Sequence, residues 1–122
     1  MIFLKNMILT SSLYESIELV KKFLDKNTES KKILFIPTAT NVDEYKKYIY
    51  LTQKAFEDFG YEVENFDVSI FSEEIAKEKL AEAKTVFISG GNTFYLLQEL
   101  KRKNLTSYLK ERIENGLLYI GE

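Results

Sequence analysis

The pentapeptide Ser89-Gly90-Gly91-Asn92-Thr93 is the strongest chemical signal in the sequence. Glycines that directly follow an apolar run can adopt positive φ and bring backbone N–H groups close to a ligand. A helix that begins near Asn92 would add the positive end of its dipole, so the loop is suited to hold an oxyanion or a phosphate. The alternative is structural: Gly90 and Gly91 only form a tight turn, and Asn92 only caps the helix.

Hydroxyl side chains also follow other apolar runs, at Ser11, Thr38 and Thr40. Each is a candidate nucleophile, but turn and cap roles suit these residue types better at such positions. A serine or threonine nucleophile needs a base to activate it, and the sequence contains no histidine. We therefore expect these hydroxyls to be structural.

The remaining polar clusters are typical of surfaces and core edges. Tyr45, Tyr48 and Tyr50 share one predicted helix, and their spacing favours the edge of the core over a binding platform. The carboxylates on predicted helices have lysine neighbours or lie near a helix end, which is typical of solvated charges. They are Glu57, Asp58, Glu73, Glu74 and Glu78.

The composition describes an ordinary globular domain. The 122 residues are 45% hydrophobic and 30% charged with a net charge of -2, so one domain is expected and nucleic acid is not an expected partner. The absence of cysteine and histidine excludes disulfides, thiolate chemistry, His-ligated metals and any Ser-His pair within these residues. No metal or cofactor is expected. The opening MIFLKNMILT is short and interrupted by Lys5, which predicts a cytoplasmic protein with no membrane partner.

Strand and helix signals alternate along the first half of the chain. Phe3–Thr10 is an apolar stretch, and Ser12 with Glu15 fits a capping box that opens a helix. Ile33–Ile36 predicts a buried strand that Pro37 stops. The first helix presents an apolar face that consists of Leu13, Ile17, Val20 and Leu24.

The second predicted helix has the clearest periodicity in the sequence. Asn41 and Glu44 are expected to cap it, and Gly60 to end it. Its apolar face consists of Tyr45, Tyr48, Ile49, Thr52, Phe56 and Phe59.

The second half continues the same alternation. Ser72 with Glu73 and Glu74 is expected to start a helix. The predicted strands are Tyr61–Val68, Thr85–Ile88 and Leu117–Ile120, and the last two helices span Phe94–Lys103 and Thr106–Glu114.

This alternation predicts an α/β fold with a doubly wound, mostly parallel sheet and helices on both faces. Such folds place their sites at the carboxyl ends of the strands. We therefore expect four segments to meet at one edge of the sheet: residues 10–12, residues 37–41, residues 89–93 and the Gly121-Glu122 end.

Four segments, in order along the chain, resemble the dipeptidase E-like peptidases of serine peptidase family S51. They are LTSS (Leu9–Ser12), FIPTA (Phe35–Ala39), FISGGNTFYLLQELK (Phe87–Lys101) and LYIGE (Leu118–Glu122). The resemblance implies a class I glutamine amidotransferase-like or flavodoxin-like fold, truncated at the nucleophile strand. Residues 1–122 are then a single α/β domain that forms the amino-terminal part of a longer peptidase domain.

The resemblance also implies roles for individual residues. In the family, the segment YIG and one further residue lead into Ser-Ala-Gly, whose serine is the nucleophile on a strand-to-helix elbow. Gly90 and Gly91 match the glycines whose amides help to form the oxyanion hole, and Asn92 and Thr93 match residues that shape this loop for binding. Glu122 matches a position that varies, so no chemistry is assigned to it. The implied substrate is a small peptide of the Asp-X type.

Two hypotheses remain open from the sequence. In the first, these residues belong to a peptidase and are inactive alone, because they lack the nucleophilic serine and any histidine. In the second, they form a non-catalytic ligand-binding or oligomerising domain that uses the Gly-Gly-Asn loop as an anion site. A nucleotide-binding enzyme is disfavoured because no G-x-G-x-x-G or G-x-x-x-x-G-K fingerprint is present. A sheet cut at this strand should expose apolar surface, so residues 1–122 alone are expected to self-associate as a homo-oligomer or to be poorly soluble, unless a partner covers that surface.

Overall fold

The computed structural model describes residues 2–4, 6–43 and 46–122, and within them one six-stranded sheet lies between two layers of helices. The strands are β1 (Ile2–Leu4), β2 (Met7–Leu9), β3 (Lys32–Ile36), β4 (Glu62–Asn65), β5 (Thr85–Ile88) and β6 (Leu118–Gly121). The helices are α1 (Ile17–Asn27), α2 (Lys47–Asp58), α3 (Glu73–Glu82), α4 (Thr93–Arg102) and α5 (Thr106–Glu114). Two short 3-10 turns, Tyr14–Ser16 and Thr38–Thr40, precede α1 and α2.

The strand order is β1-β2-β6-β5-β3-β4. Every neighbouring pair is parallel except β1 and β2, which form an antiparallel hairpin at one edge. Phe35, Phe87 and Ile120 stand side by side in the register of β3, β5 and β6. The predicted α/β fold with a mostly parallel sheet is therefore confirmed.

Each face of the sheet carries its own hydrophobic core, because successive side chains on a strand point to opposite faces. On one face, α1 and α2 cover a core centred on three phenylalanines: Phe87 lies 4.8 Å from Phe35 and 5.6 Å from Phe56 between ring centroids. On the other face, α3, α4 and α5 cover a core that includes Ile36 and Ile88. Helices cover both faces, as the sequence predicts.

The amino-terminal apolar stretch contains parts of two strands. Phe3–Thr10 is not one strand, because the chain reverses near Asn6 to make the β1–β2 hairpin. The Asn6 side-chain amide donates hydrogen bonds to the carbonyls of Ile113 and Leu117, at 2.7 and 3.1 Å. A turn held by these long-range bonds has no signature in the local apolar pattern.

Two predicted helix caps are also wrong. The chain before α1 forms the Tyr14–Ser16 turn, and no side chain caps it, so the capping box of Ser12 and Glu15 does not form. Helix α2 begins only at Lys47 and has Lys46 at its N-cap position, so Asn41 does not cap it; the Asn41 amide group donates to Asp67. The predicted contributions of Glu44 and Tyr45 lie outside the described residues.

Most other boundaries are confirmed or shift slightly. Ser72 and Asn92 cap α3 and α4, as predicted. Strand β4 ends at Asn65, earlier than the predicted Val68, because the chain turns where Asp67 binds Ser69. Strand β6 extends to Gly121, whose carbonyl accepts a hydrogen bond from the N–H of Thr10.

Candidate functional site

The carboxyl ends of β2, β6 and β5 meet at one open cleft of about 330 Å³. Strand β6 lies between the other two strands, so its end at Gly121 and Glu122 is flanked by the β2–α1 loop and the β5–α4 loop. The cleft is lined by Ser11, Ser12, Tyr14, Tyr48, Thr52, Gly90, Gly91 and Glu122. The sequence-predicted segments at residues 10–12, 89–93 and 121–122 therefore come together.

Gly91 has a backbone conformation and a packing environment that both require glycine. Its φ is 138°, in a region that L side chains rarely adopt. A Cβ on Gly91 would lie 2.5 Å from the carbonyl oxygen of Ala39, which also accepts the N–H of Asn92 at 2.8 Å. Among the described residues, the N–H of Gly91 has no hydrogen-bond acceptor. Gly91 thus offers a free backbone donor beside the cleft.

Asn92 and Thr93 begin α4 and do not line the cleft. The Asn92 side-chain oxygen accepts the N–H of Tyr95 at 2.9 Å, which satisfies one of the free donors at the start of the helix. For Asn92, the structure therefore supports the capping role. Its contribution to the cleft is indirect, because the cap fixes where α4 begins relative to Gly91.

The Thr38–Thr40 turn, which holds Gly91, is anchored by Asp67. The Asp67 carboxylate accepts hydrogen bonds from the Thr38 hydroxyl at 3.0 Å and from the Asn41 amide at 2.7 Å. It also accepts both the hydroxyl and the N–H of Ser69. Burial opposes ionisation of Asp67, but the hydrogen bonds from Ser69, Asn41 and Thr38 outweigh it and hold the pKa of this carboxyl below its usual range.

Thr38 and Thr40 are turn residues in the structure. The Thr40 hydroxyl donates to the carbonyl of Pro37 at 2.7 Å, and the Thr38 hydroxyl is engaged with Asp67 and with the N–H of Val68. Both threonines are buried. Neither hydroxyl is available as a nucleophile, which agrees with the structural role predicted for them.

The Glu122 carboxylate bridges two loops of the cleft. Its Oε2 accepts the N–H of Leu13 at 2.8 Å, and its Oε1 accepts the N–H of Gly90 at 3.4 Å. This carboxylate thus satisfies the N–H that directly precedes the Tyr14–Ser16 turn, where the predicted Ser12 cap does not form. No local sequence signal predicts this role for Glu122, because its partners are 109 and 32 positions away.

Tyr48 is a second cleft residue whose role the sequence did not predict. Its hydroxyl lies 3.2 Å from the carbonyl oxygen of Gly90 and 3.4 Å from Oδ2 of Asp43, so one proton serves two acceptors. Burial, followed by the negative charges of Asp43 and Glu122, raises the pKa of Tyr48 above its usual value. Tyr48 therefore stays a neutral hydrogen-bond donor at neutral pH and ties α2 to the Gly90 loop.

A second cavity lies at the opposite ends of β3, β4 and β5, and its chemistry is different. It measures about 70 Å³, and Glu64 in its wall pairs with two lysines, Lys32 at 3.1 Å and Lys79 at 2.7 Å. In the described ranges, no group of three or more Asp, Glu, His or Cys residues is placed to hold a metal ion. The cleft beside Gly91 is therefore the better candidate site.

No described helix is long and apolar enough to cross a membrane.

Comparison with known proteins agrees with the motifs around this cleft. The family model of peptidase family S51 matches residues 7–122. The uncharacterized peptidase Lmo0363 of Listeria monocytogenes is 40% identical over 119 residues, which cover 98% of this chain and 58% of that protein. A Drosophila melanogaster protein, provisionally named alpha-aspartyl dipeptidase, is 31% identical over 80% of this chain and 38% of its own length.

A solved structure shows the same architecture. The crystal structure of a Listeria monocytogenes EGD-e protein, provisionally named peptidase E, superposes with a TM-score of 0.89 and 39% sequence identity. The match covers 96% of this chain and 57% of that one. These 122 residues thus span just over half the length of Lmo0363 and of the solved Listeria protein.

Proposed function

Because the chain belongs to peptidase family S51, we propose that it forms the amino-terminal part of a dipeptidase E-like serine peptidase domain. In this proposal the whole protein hydrolyses short peptides with an amino-terminal aspartyl residue through an acyl-enzyme. The proposal is supported by the family match over residues 7–122 and by the coverage of 58% of Lmo0363. The name of the Drosophila melanogaster relative supports the aspartyl preference.

The observation that carries the proposal is the position of β6. This strand ends at Gly121 and Glu122 between two loops, and one of those loops contains Gly91, whose N–H meets no acceptor among the described residues. In this proposal, which follows the motif resemblance, the nucleophilic serine comes directly after Glu122. A carbonyl attacked there would develop negative charge close to the Gly91 N–H, which is the arrangement that stabilises the tetrahedral intermediate of acyl transfer.

We further propose that residues 1–122 alone do not hydrolyse peptides. The sequence contains no histidine, so these residues supply no imidazole base to accept the serine proton. The rest of the peptidase domain provides that base in this proposal. A cytoplasmic location belongs to the same proposal, and the absence of cysteine from these residues fits it.

The first test is to sequence the source DNA beyond the codon for Glu122 and to express the whole reading frame. We expect the frame to continue into Ser-Ala-Gly with a later histidine, and the whole protein to cleave aspartyl dipeptides. Replacement of that serine by alanine should abolish cleavage. The matched control is Ser107→Ala on the exposed side of α5, which should retain full activity. Equal activity of both variants would overturn the catalytic proposal.

The non-catalytic alternative has one supporting observation. The N–H groups of Leu13 and Gly90 hold the Glu122 carboxylate, so this part of the cleft has the chemistry of an anion site. A stop codon directly after Glu122 would favour this alternative. In that case, phosphate or acetate should perturb the amide signals of Gly90 and Gly91, and peptides should not be hydrolysed.

A further inference from the structure

We propose that Glu122 is a positioning residue, whose carboxylate holds the Gly90–Gly91 loop against Leu13 in the β2–α1 loop and so presents the Gly91 N–H to the reacting carbonyl. The catalytic consequence rests on the proposed peptidase function, whereas the structural link does not. Among the residues of the cleft, Glu122 alone bonds to both loops that flank β6.

Backbone hydrogen bonds fix the position of Glu122 independently of its side chain. Its N–H donates to the carbonyl of Ile88 at 3.1 Å, and the neighbouring Gly121 carbonyl accepts the N–H of Thr10 at 2.9 Å. A Cβ added to Gly90 would lie 3.4 Å from the Glu122 carbonyl oxygen, so the two residues are in close contact. The carboxylate therefore projects from a rigid strand end rather than from a free loop.

A carboxylate suits position 122 because it can accept two hydrogen bonds at once. Leu13 and Gly90 both offer N–H donors, and a carboxylate has two acceptor oxygens with which to meet them. A glutamine side chain has only one acceptor oxygen, so one N–H would face an NH₂ group instead. Within the described residues Glu122 forms no ion pair, and these two N–H groups are its partners.

Because Glu122 accepts the N–H of Gly90, the amides of Gly90 and Gly91 have different roles. The N–H of Gly90 is engaged by Glu122, while the carbonyl of Gly90 accepts from the Tyr48 hydroxyl. The N–H of Gly91 meets no acceptor in the described part of the chain. Glu122 thus binds the N–H of Gly90 and Tyr48 binds its carbonyl. In this proposal, the N–H of Gly91 is the donor available to the substrate.

The test compares Glu122→Gln and Glu122→Ala in the whole protein, with Glu114→Gln as the matched control. Glu114 is a largely exposed carboxylate at the end of α5, where it pairs with Lys110, and it does not line the cleft. The first readout is the amide NMR signals of Leu13 and Gly90. We expect both to move in the two Glu122 variants and to stay in place in the control.

Rescue by a small anion distinguishes positioning from general damage to the fold. In Glu122→Ala, the two freed N–H groups should bind added formate, which should return the Leu13 and Gly90 signals toward their wild-type positions. Chloride at the same ionic strength should not do so. For Glu122→Gln, we expect kcat to fall about 10- to 100-fold with little change in KM, because a misplaced donor weakens transition-state binding more than substrate binding.

Several outcomes would overturn the inference. Unchanged Leu13 and Gly90 signals in Glu122→Gln would show that the carboxylate does not hold the loops, and unchanged kcat in an active enzyme would show that holding them does not matter. If Glu122→Ala does not fold, Glu122→Gln, which keeps the shape of the side chain, decides the matter. If the wild-type whole protein has no peptidase activity, the proposed function fails, while the NMR signals still decide whether Glu122 positions the loop.

Discussion

At the residue scale, Gly91 is the position where the cleft tolerates least change. Its positive φ and its contact with the Ala39 carbonyl are separate constraints, and both come from the closeness of two loop backbones. Backbone atoms that meet at this distance cannot move aside as a flexible side chain would. The close approach that fixes the free N–H therefore also excludes every side chain.

We predict that Gly91→Ala lowers the free energy of unfolding by about 3 kcal/mol, as backbone strain and steric overlap add. The matched control is Gly60→Ala. Gly60 also has a positive φ, of 92°, but a Cβ there would meet nothing within 4 Å. Its expected cost is about 1 kcal/mol, from the backbone alone. Urea denaturation measures both, and equal losses would show that the Ala39 contact is unimportant.

At the element scale, the cleft depends on the short Thr38–Thr40 turn between β3 and α2. The turn is held by Asp67, which follows β4; its Ala39 carbonyl accepts the N–H of Asn92 and lies against Gly91. Three loops at the carboxyl edge of the sheet are thereby connected through one carboxylate. Loss of that carboxylate should loosen the β5–α4 loop without a change in either hydrophobic core.

We predict that Asp67→Asn destabilises the protein at neutral pH and that the loss disappears in acid. The pKa of Asp67 is lower in the folded protein than its ordinary value, so its stabilising effect is present above the ordinary pKa. The effect declines as pH falls through the lowered pKa, because the protonated carboxyl no longer accepts all of its hydrogen bonds. Urea denaturation from pH 7 to pH 2 measures this difference.

The control for the Asp67 prediction is Asp58→Asn at the end of α2. The Asp58 side chain is 65% exposed, and its pair with Lys54 is long at 3.8 Å. Exposed pairs of this kind contribute little to stability. Asp58→Asn should therefore follow wild type at every pH. A constant difference between Asp67→Asn and wild type across the pH range would contradict the ionic role of Asp67.

The second prediction at this scale concerns the core formed by three phenylalanines. Phe87 is fully buried between Phe35 and Phe56, in the strand that leads to Gly90. We expect Phe87→Ala to lower the free energy of unfolding by about 3–5 kcal/mol, because it leaves a cavity in a packed core. Leu97→Ala on the 42% exposed face of α4 is the control and should cost far less. Thermal and urea unfolding give both values.

At the scale of the whole molecule, one apolar groove remains open. It has a volume of about 510 Å³ and lies between β2, β6 and the helices α4 and α5. Its apolar lining consists of Met7, Leu9, Leu100, Leu109, Ile113 and Tyr119. Open apolar surface of this kind favours association, which gives the expected self-association of residues 1–122 a definite location.

We predict that residues 1–122, prepared alone, associate with a second copy through this groove. Met7→Lys places a charge in the groove and should shift the protein toward monomer, as measured by sedimentation velocity over a range of concentrations. Ile70→Lys is the control, since Ile70 is 74% exposed and does not line the groove. A monomeric wild type, or an equal effect of both variants, would contradict this prediction.

The elements of the fold follow from the sequence because their signals are local. Periodicity predicts α5 at its observed bounds and β5 at Thr85–Ile88, and the caps at Ser72 and Asn92 bond to N–H groups three positions ahead. The wrong predictions share a different cause. The Ser12 and Asn41 caps do not form, and the side chains that organise these two segments bond to residues far along the chain.

The sequence by itself determined the α/β class, the order of the elements and the family motifs at the ends of the strands. Only the tertiary structure decided how these ends work together: Glu122 bonds to Leu13 and Gly90, Asp67 holds the Thr38–Thr40 turn, and Ala39 excludes any side chain at Gly91. The physical reason is distance along the chain. Periodicity and capping act over three or four residues, whereas the cleft is made of backbone N–H groups and carboxylates that only the folded sheet brings together.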